Sequence, residues 1–332
     1  MPTPAVYPSA LSFLGLGKES TAGTAVVPTH YMPWTEFKPA PNVELLADEG
    51  MRGTMSAVHG AVMGKHYSEL ELSGPPFSDS FGHLLYNALG GYAVTGAGPY
   101  SHTFSLLNTG TGQPITHTIT DRQGITASTG ARVYPYACLS ELTLKGNAAE
   151  LLEFDSKWTA SASAAAGAGP TNSPPSTTVT PAWRSSVSLG GTASPTVLEW
   201  EVTIKRELQV DLTADGTQAP WVIGRGPVSV EGKLTVRASD AAPMAAEGPH
   251  TTLIAGTQQA LVIAVADNLG GTSGHSLTLT MTKAQFSKVE LTRDTMIGWE
   301  IEFVGIGNTT DAGASGGDAP IKAVLVNAVT TY

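Results

Sequence analysis

Polar and apolar residues alternate with period two in several short stretches of the chain. In residues 67–72, Tyr67, Glu69 and Glu71 point one way and Ser68, Leu70 and Leu72 the other. In 228–237, Val228, Val230, Leu234 and Val236 oppose Ser229, Glu231, Lys233, Thr235 and Arg237. In 298–303, Trp299, Ile301 and Phe303 oppose Glu300 and Glu302. Period two with one wet face marks antiparallel sheets packed on one side. In 199–212 the phase slips between Lys205 and Glu207, which predicts a bulge. The best helical signal is in 78–90. There Phe81, Leu84, Leu85 and Leu89 form a stripe, Ser78 or Ser80 is placed to cap it, and Gly90-Gly91 stop it. A weaker counterpart lies near 247–256. The expected class is all-β: a sandwich or barrel with about one short helix per domain.

The stretch 159–183, TASASAAAGAGPTNSPPSTTVTPAW, is small, Pro-rich and uncharged apart from its flanks, and reads as a linker or long exposed loop. It divides the chain into an expected first domain (1–162), a linker (163–182) and a second domain (183–332). The two halves are alike in pattern. Without a gap, 48–73 lies on 214–239, with Gly50 on Gly216 and Ser73 on Ser239, each an acidic turn, a Gly-rich loop and an alternating strand. Residues 138–161 and 286–308 each read as strand, turn, strand. A tandem duplication is expected.

Composition narrows the function. Charged residues make up 14 % of the 332, Gly (37) and Pro (22) are plentiful, and 41 % is hydrophobic, which suits short strands and many turns rather than disorder. The net charge of −10 disfavours a grip on nucleic-acid phosphates, whereas an acidic surface would let DNA pass without sticking. The single cysteine, Cys138, sits in an apolar run and reads as a small buried hydrophobe. No positive charge precedes Lys18 and no 18-residue apolar stretch occurs, so neither a signal peptide nor a membrane helix is expected.

No catalytic constellation stands out. The eight histidines show neither H-x-H nor H-E-x-x-H spacing. Residues 313–317 formally match G-x-S-x-G, but in a Gly/Ala/Ser-rich loop rather than a strand–turn–helix. Glu69/Glu71 and Glu300/Glu302 are carboxylate pairs at i, i+2, a spacing open to glycosidase or Ca²⁺ chemistry but commonest on a solvated strand face. Trp158, Trp200 and Trp299 sit inside alternating strands and read as core. Residues 15–23, GLGKESTAG, look like a phosphate loop, yet position 12 is Ser12 and Gly17-Lys18 is followed by Glu19, so both defining positions of G-x-x-x-x-G-K-[ST] fail.

The opening GLGKESTAGTAVVPTHYMPW, then NVELLADEGMRGTMSAVHGAVMGKHYSELELS, FSDSFGHLLYNALGG and CLSELTLKGNAAELLEFDSKWTAS, resembles the tail tube (major tail) proteins of long, non-contractile-tailed bacteriophages. The likeness covers most of residues 10–161 in order and the second half more loosely. It implies a structural virion protein, made in the host cytoplasm, with no cofactor, enzymatic activity or membrane. Domains of this kind close into six-fold rings around a lumen that carries genomic DNA without specific binding, and rings stack through a long loop. The implied partners are further copies of itself, a tape measure protein, a tail terminator and distal tail proteins.

With two domains per chain, three chains would make a pseudo-six-fold ring. The expected lumen-facing carboxylates are Glu69, Glu71, Glu153, Asp155, Glu300 and Glu302. The expected ring-stacking loops are 51–66, with Met51, Arg52, His59 and Lys65, and 217–227, with Gln218, Trp221 and Arg225. The second half lacks a copy of GKESTAGTA, which keeps open a true hexamer carrying a decorating C-terminal domain. A β-rich carbohydrate-binding or adhesin module is the alternative from another class, followed by a capsid decoration or head–tail connector protein and a β-sandwich hydrolase.

Overall fold

The computed structural model describes residues 7–123, 130–166, 172–175, 177–194, 196–240, 244, 247–265, 269, 274–293 and 295–332. Residues 167–171 and 176 of the expected linker lie outside them. The first half runs β1 (Phe13–Lys18), β2 (His30–Met32), β3 (Glu36–Asp48), β4 (Gly60–Gly74), helix α1 (Phe81–Leu89), β5 (Gly90–Thr95), β6 (Tyr100–Leu106), β7 (His117–Arg122), β8 (Ala131–Asn147), β9 (Glu153–Ser161) and β10 (Ala164–Ala165). The second runs β11 (Ser185–Leu189), β12 (Thr192–Ala193), β13 (Val197–Asp211), β14 (Val222–Arg237), α2 (Gly248–Ile254), β15 (Gln258–Val265), β16 (Ser276–Arg293), β17 (Ile297–Gly305) and β18 (Lys322–Asn327). The fold is all-β, as the alternation implies.

Eight strands form one long antiparallel sheet in the order β3-β4-β9-β8-β13-β14-β17-β16. Its alternation puts Leu70, Leu72, Leu142, Leu144, Phe154, Trp158, Trp200, Leu234, Ile301 and Phe303 on a buried face, as expected of the tryptophans. Against this face pack α1 and a second layer that includes Leu14 and Leu16 of β1 and Ile119 of β7, in one continuous core. The long strands β8 and β16 serve both layers. β8 pairs with β7 and β10 up to Ala137 and with β9 and β13 from Cys138 onward. Tyr136, at a φ of 58°, marks the corner.

The two halves lay down the same pairings. β1–β2, β1–β7, β7–β8, β8–β10, β8–β9, β9–β4 and β4–β3 recur as β11–β12, β11–β15, β15–β16, β16–β18, β16–β17, β17–β14 and β14–β13. The bulges recur too, at Val43/Leu45 and Arg206/Leu208, and at Leu139/Glu141 and Phe286/Lys288. The bulge expected in 199–212 is therefore present, but its extra residue is on the partner strand, where Gly226 and Pro227 together oppose Glu207. Proline is tolerated there because a bulge leaves its missing N–H without a required partner. The ungapped alignment is corrected by four residues. The second-half residue in the place of Ser73, opposite Asp155, is Thr235, opposite Glu300, not Ser239. The ungapped match rests on turn glycines, whereas the strand pairings of the two halves correspond four residues away from it.

Helix α1 has an N-cap residue, Ser80, whose side chain makes no capping bond, and Ser78 Oγ instead lies 2.9 Å from His275 Nδ1, so neither expected serine cap forms. Its end is as expected, on Gly90 at a φ of 85°. Beneath the helix Asn87 Oδ1 accepts from Leu139 N–H at 2.7 Å, which turns its amide nitrogen toward His117 Nδ1 at 2.9 Å. His117 Nδ1 must then accept, so its Nε2–H donates to His83 Nδ1 (3.0 Å), and His83 Nε2–H donates to His30 Nδ1 (2.8 Å). One asparagine thus sets the tautomer of three neutral imidazoles in a row.

Burial, reinforced by the Lys18 and Arg225 charges and His30, holds His117 at about 3, and burial with the neighbouring rings and Lys18 holds His83 well below its ordinary value. Unfolded imidazoles take up protons first as the pH falls. The stability these rings contribute is therefore whole above about 6.5 and is lost progressively toward about 3. Urea unfolding between pH 6 and pH 4 is expected to lose roughly 1.4 kcal/mol per pH unit for each such histidine, with a shallower slope in H117Q. A slope unchanged by the substitution would contradict the assignment.

Candidate assembly surface

The solvent-facing side of the long sheet carries cross-strand rows of charge. One row runs Lys38, Glu71, Lys157, Glu141, Lys205. Another runs Glu153, Lys145, Glu201, Lys233, Glu302, Lys288. Lys145 lies 2.9 Å from Asp155 and 3.7 Å from Glu153, Lys157 lies 2.9 Å from Glu141, and Lys233 lies 2.8 Å from Glu300. Lys205 pairs with Glu231 and Lys288 with Glu290. The hydrogen bond that Lys145 donates to Asp155 raises the pKa of the Lys145 amine, and the one Lys233 donates to Glu300 does the same for Lys233. Exposed pairs of this kind add little stability. Their effect is on the surface, where every one of these lysines is held by carboxylates and is not offered singly to an anion.

The six carboxylates singled out in the sequence all fall on this one face. Glu69 and Glu71 lie on β4, Glu153 and Asp155 on β9, and Glu300 and Glu302 on β17, each in register with a polar neighbour on the same side. The sequence shows each pair as a strand face; only the pairing brings the three strands into one sheet.

Two hairpin arms project from one rim, because β3–β4 extends beyond the end of β9 and β13–β14 beyond the last pairing of β13 with β8, at Lys205 and Glu141. They touch: His66 N–H donates to Gln218 O at 3.0 Å and Gln218 Nε2 donates to Met63 O at 2.8 Å. Met51, Met55 and Trp221 at their tips are exposed, the last at 68 %. Arg52 pairs with Asp48, Lys65 lies 3.9 Å from Glu44, and His59 is half-buried, its N–H donating to Asp48 O. Arg225 lies elsewhere. It is buried, with its guanidinium donating to Ile115 O at 3.2 Å and its N–H to Gln113 Oε1 at 3.0 Å, so its side chain is not presented at the rim. It lies in 222–237, a strand rather than a loop.

GLGKESTAG is a structural clasp. Gly15 and Gly17 lie in β1, where an added Cβ would come within 2.5 Å of Pro28 and 2.8 Å of Val26. Glu19, 2 % exposed, accepts four hydrogen bonds. Thr118 Oγ1 (2.7 Å) and Tyr136 N–H (2.8 Å) donate to one oxygen, and Thr116 Oγ1 (2.6 Å) and Gly23 N–H (2.8 Å) to the other. A carboxylate that fails a phosphate loop thus pins the β1–β2 connection to β7 and β8. Arg206, held down to about 10 by burial and the nearby Arg225 charge, donates to Ala88 O, Gly112 O and Gly226 O and ties β13 to the end of α1. Sequence reading missed Glu19, Arg206 and Asn87 as anchors. For Arg206 the slip in alternation was the available signal, since it stands at the bulge.

The 313–317 match forms a 3-10 turn, Gly313–Ser315, and not a strand–turn–helix. Among the described residues no group of three or more His, Cys, Asp or Glu side chains is arranged to hold a metal ion. Among them, too, no helix is long and apolar enough to cross a membrane.

An extended sheet with a broad ion-paired face and projecting arms defines a class, that of all-β proteins built around one long antiparallel sheet. The chain belongs to the phage tail tube protein family, whose model matches residues 9–323. It is a structural component of the virion tail, of a family that self-associates into a tube. A comparison with curated proteins found no match.

Replacement of Glu19 by Gln tests the clasp. Each carboxylate oxygen faces a main-chain N–H, so either orientation of the amide sets its NH₂ against a donor. E19Q is expected to lower unfolding stability by about 2–4 kcal/mol, read by urea denaturation of the monomer.

Proposed function

We propose that three copies of this chain close into a pseudo-six-fold ring, and that stacked rings form the tube through which phage DNA passes. The observation that carries this reading is the repeated pairing scheme, which lays four strands of each half side by side in one sheet. It supports a tandem duplication with repeats at 1–162 and 183–332 joined by 163–182, and it favours three two-repeat chains over a hexamer with a decorating domain. Three copies bring twenty-four strands. At about 4.8 Å per strand and a tilt near 40°, the closed wall is roughly 48 Å across at the backbone. Side chains reduce this to roughly 35–40 Å, room for a double helix about 20 Å wide.

The ion-paired face lines the lumen in this reading. Its lysines are already engaged by carboxylates, Glu153, Asp155, Glu300 and Glu302 among them, and Glu69 and Glu71 add further negative charge, so phosphates meet no free cation and release no bound counterions. The buried face of the same sheet packs on the core, so the charged face is the one left for the channel. The arms with Met51, Arg52, His59, Lys65, Gln218 and Trp221 meet the next ring; Arg225 supports them from within. Tape measure protein fills the lumen before DNA, and terminator and distal tail proteins cap the two ends.

Electron microscopy of assembled protein, classified end-on, is expected to show hollow tubes with three-fold order and six similar lobes. True six-fold order would replace the trimer by a hexamer, and persistent monomers would remove the tube. A second measurement addresses the lumen. Tubes of E153Q/D155N/E300Q/E302Q are expected to retain DNA in low salt and release it steeply as salt rises, whereas unaltered tubes retain none. Equal retention by both would move this face off the channel.

A further inference from the structure

The long sheet ends on two free edges. Among the described residues, β3 pairs only with β4, and residues 286–293 of β16 pair only with β17. Which main-chain groups they offer follows from neighbouring bonds. His66 N–H turns away from β3 to reach Gln218 O, and His66 stands opposite Val43. The pair is thus a non-bonded one, and Val43 turns its N–H and C=O to the free edge. The strand is regular from Glu36 to Val43, so Phe37, Pro39 and Pro41 share that orientation. Across the sheet, Ala238 N–H donates to Ile297 O within the β14–β17 register. Gly298 and Glu300 therefore bond β16, and Leu291 and Val289 of β16 are left facing outward.

The chain contains a template for joining these edges. β16 repeats the place of β8, and β3 repeats the place of β13. Inside the chain β8 and β13 are joined, with Ala148 N–H donating to Leu198 O in the same register that pairs Leu144 with Val202 and Leu142 with Ile204. Transferred through the matching bulges, that register sets Leu291 against Pro39 and Val289 against Pro41. On the charged face it sets Glu290 against Ala40.

We propose that β3 of one copy and residues 286–293 of the next form the joint between chains in this register, and that Pro39 and Pro41 make it an acceptor-only edge at two of its bonded pairs. This rests on the tube reading above. Where Val202 and Ile204 both donate and accept inside a chain, Pro39 and Pro41 only accept, from Leu291 and Val289 N–H. The joint between chains is a half-bonded copy of the joint within one. Two β3 edges, each poor in donors, also pair badly with each other, which guards the free chain against sheet-to-sheet aggregation. Closure of the whole ring, rather than any single pair of chains, then stabilises the assembly.

The test uses the full chain. P39V/P41I, which installs the residues of the internal joint, is expected to lower the protein concentration at which assembly begins by tenfold or more, followed by sedimentation and light scattering. Independently, A40C/E290C is expected to give chain-to-chain disulfides up to a covalently closed ring on oxidation, whereas N42C/E290C, displaced by two residues, is not. Native Cys138 is fully buried and does not compete. Should P39V/P41I fail to fold, judged by its melting profile, the cysteine pairs decide alone. Tubes that assemble at an unchanged or higher threshold in a folded P39V/P41I overturn the proposal, as do tubes cross-linked through N42C/E290C instead of A40C/E290C; both leave the tube intact. Protein that stays monomeric in every form and at every concentration overturns the tube and the joint together.

Discussion

The ladder between β8 and β13 is the contact on which the rest of the molecule depends. Seven residue pairs, from Glu199–Asn147 to Lys205–Glu141, join strands that belong to different halves of the chain. Leu142, Leu144 and Gly146 meet Ile204, Val202 and Trp200 on the buried side. Gly146 is required there, since a Cβ would lie 2.7 Å from the Trp200 indole. Because register alternates strictly with period two, this one ladder also determines that the polar faces of both halves coincide. A shift by one residue would turn one half's charges into the core.

From that alignment come the features that suit the protein to a tube wall. A continuous sheet with the same four-strand order twice has two complementary ends, so head-to-tail association of copies is geometrically equivalent to the joint already made inside the chain. Curvature is built in at the recurring bulges, which bend the strands at matching positions in each half. Both arms leave from the same rim of the sheet, which in the proposed ring would set a direction along the tube axis.

Behind the sheet, a small number of buried polar groups hold irregular segments in place. Glu19 is matched by four donors, Arg206 by three carbonyls and Asn87 by a donor and acceptors on both sides. Such groups are costly when left unpaired, and full satisfaction makes the local conformation specific. They explain why the β1–β2 connection and the end of α1, which have few regular ladder bonds, keep defined positions under an otherwise apolar sheet.

The sequence by itself determined the class of fold, the alternating strands around Leu70, Leu234 and Ile301, the helix ending at Gly90, the burial of Trp158, Trp200 and Trp299, and the strand character of the three carboxylate pairs. These are local properties, written in side-chain period and in the conformational freedom of glycine. It also carried the family, through the order of motifs from GLGKESTAG onward. It did not disclose that Glu19 is a clasp, that Arg225 lies inside, that the serine cap is absent, or that Thr235 and not Ser239 stands in the place of Ser73. Each depends on which strand lies beside which, and in an antiparallel sheet that choice is made by contacts between residues far apart in the chain. Only the tertiary structure, by setting β8 against β13, gathered Glu69, Glu153 and Glu300 onto one face and left β3 and β16 as its open ends.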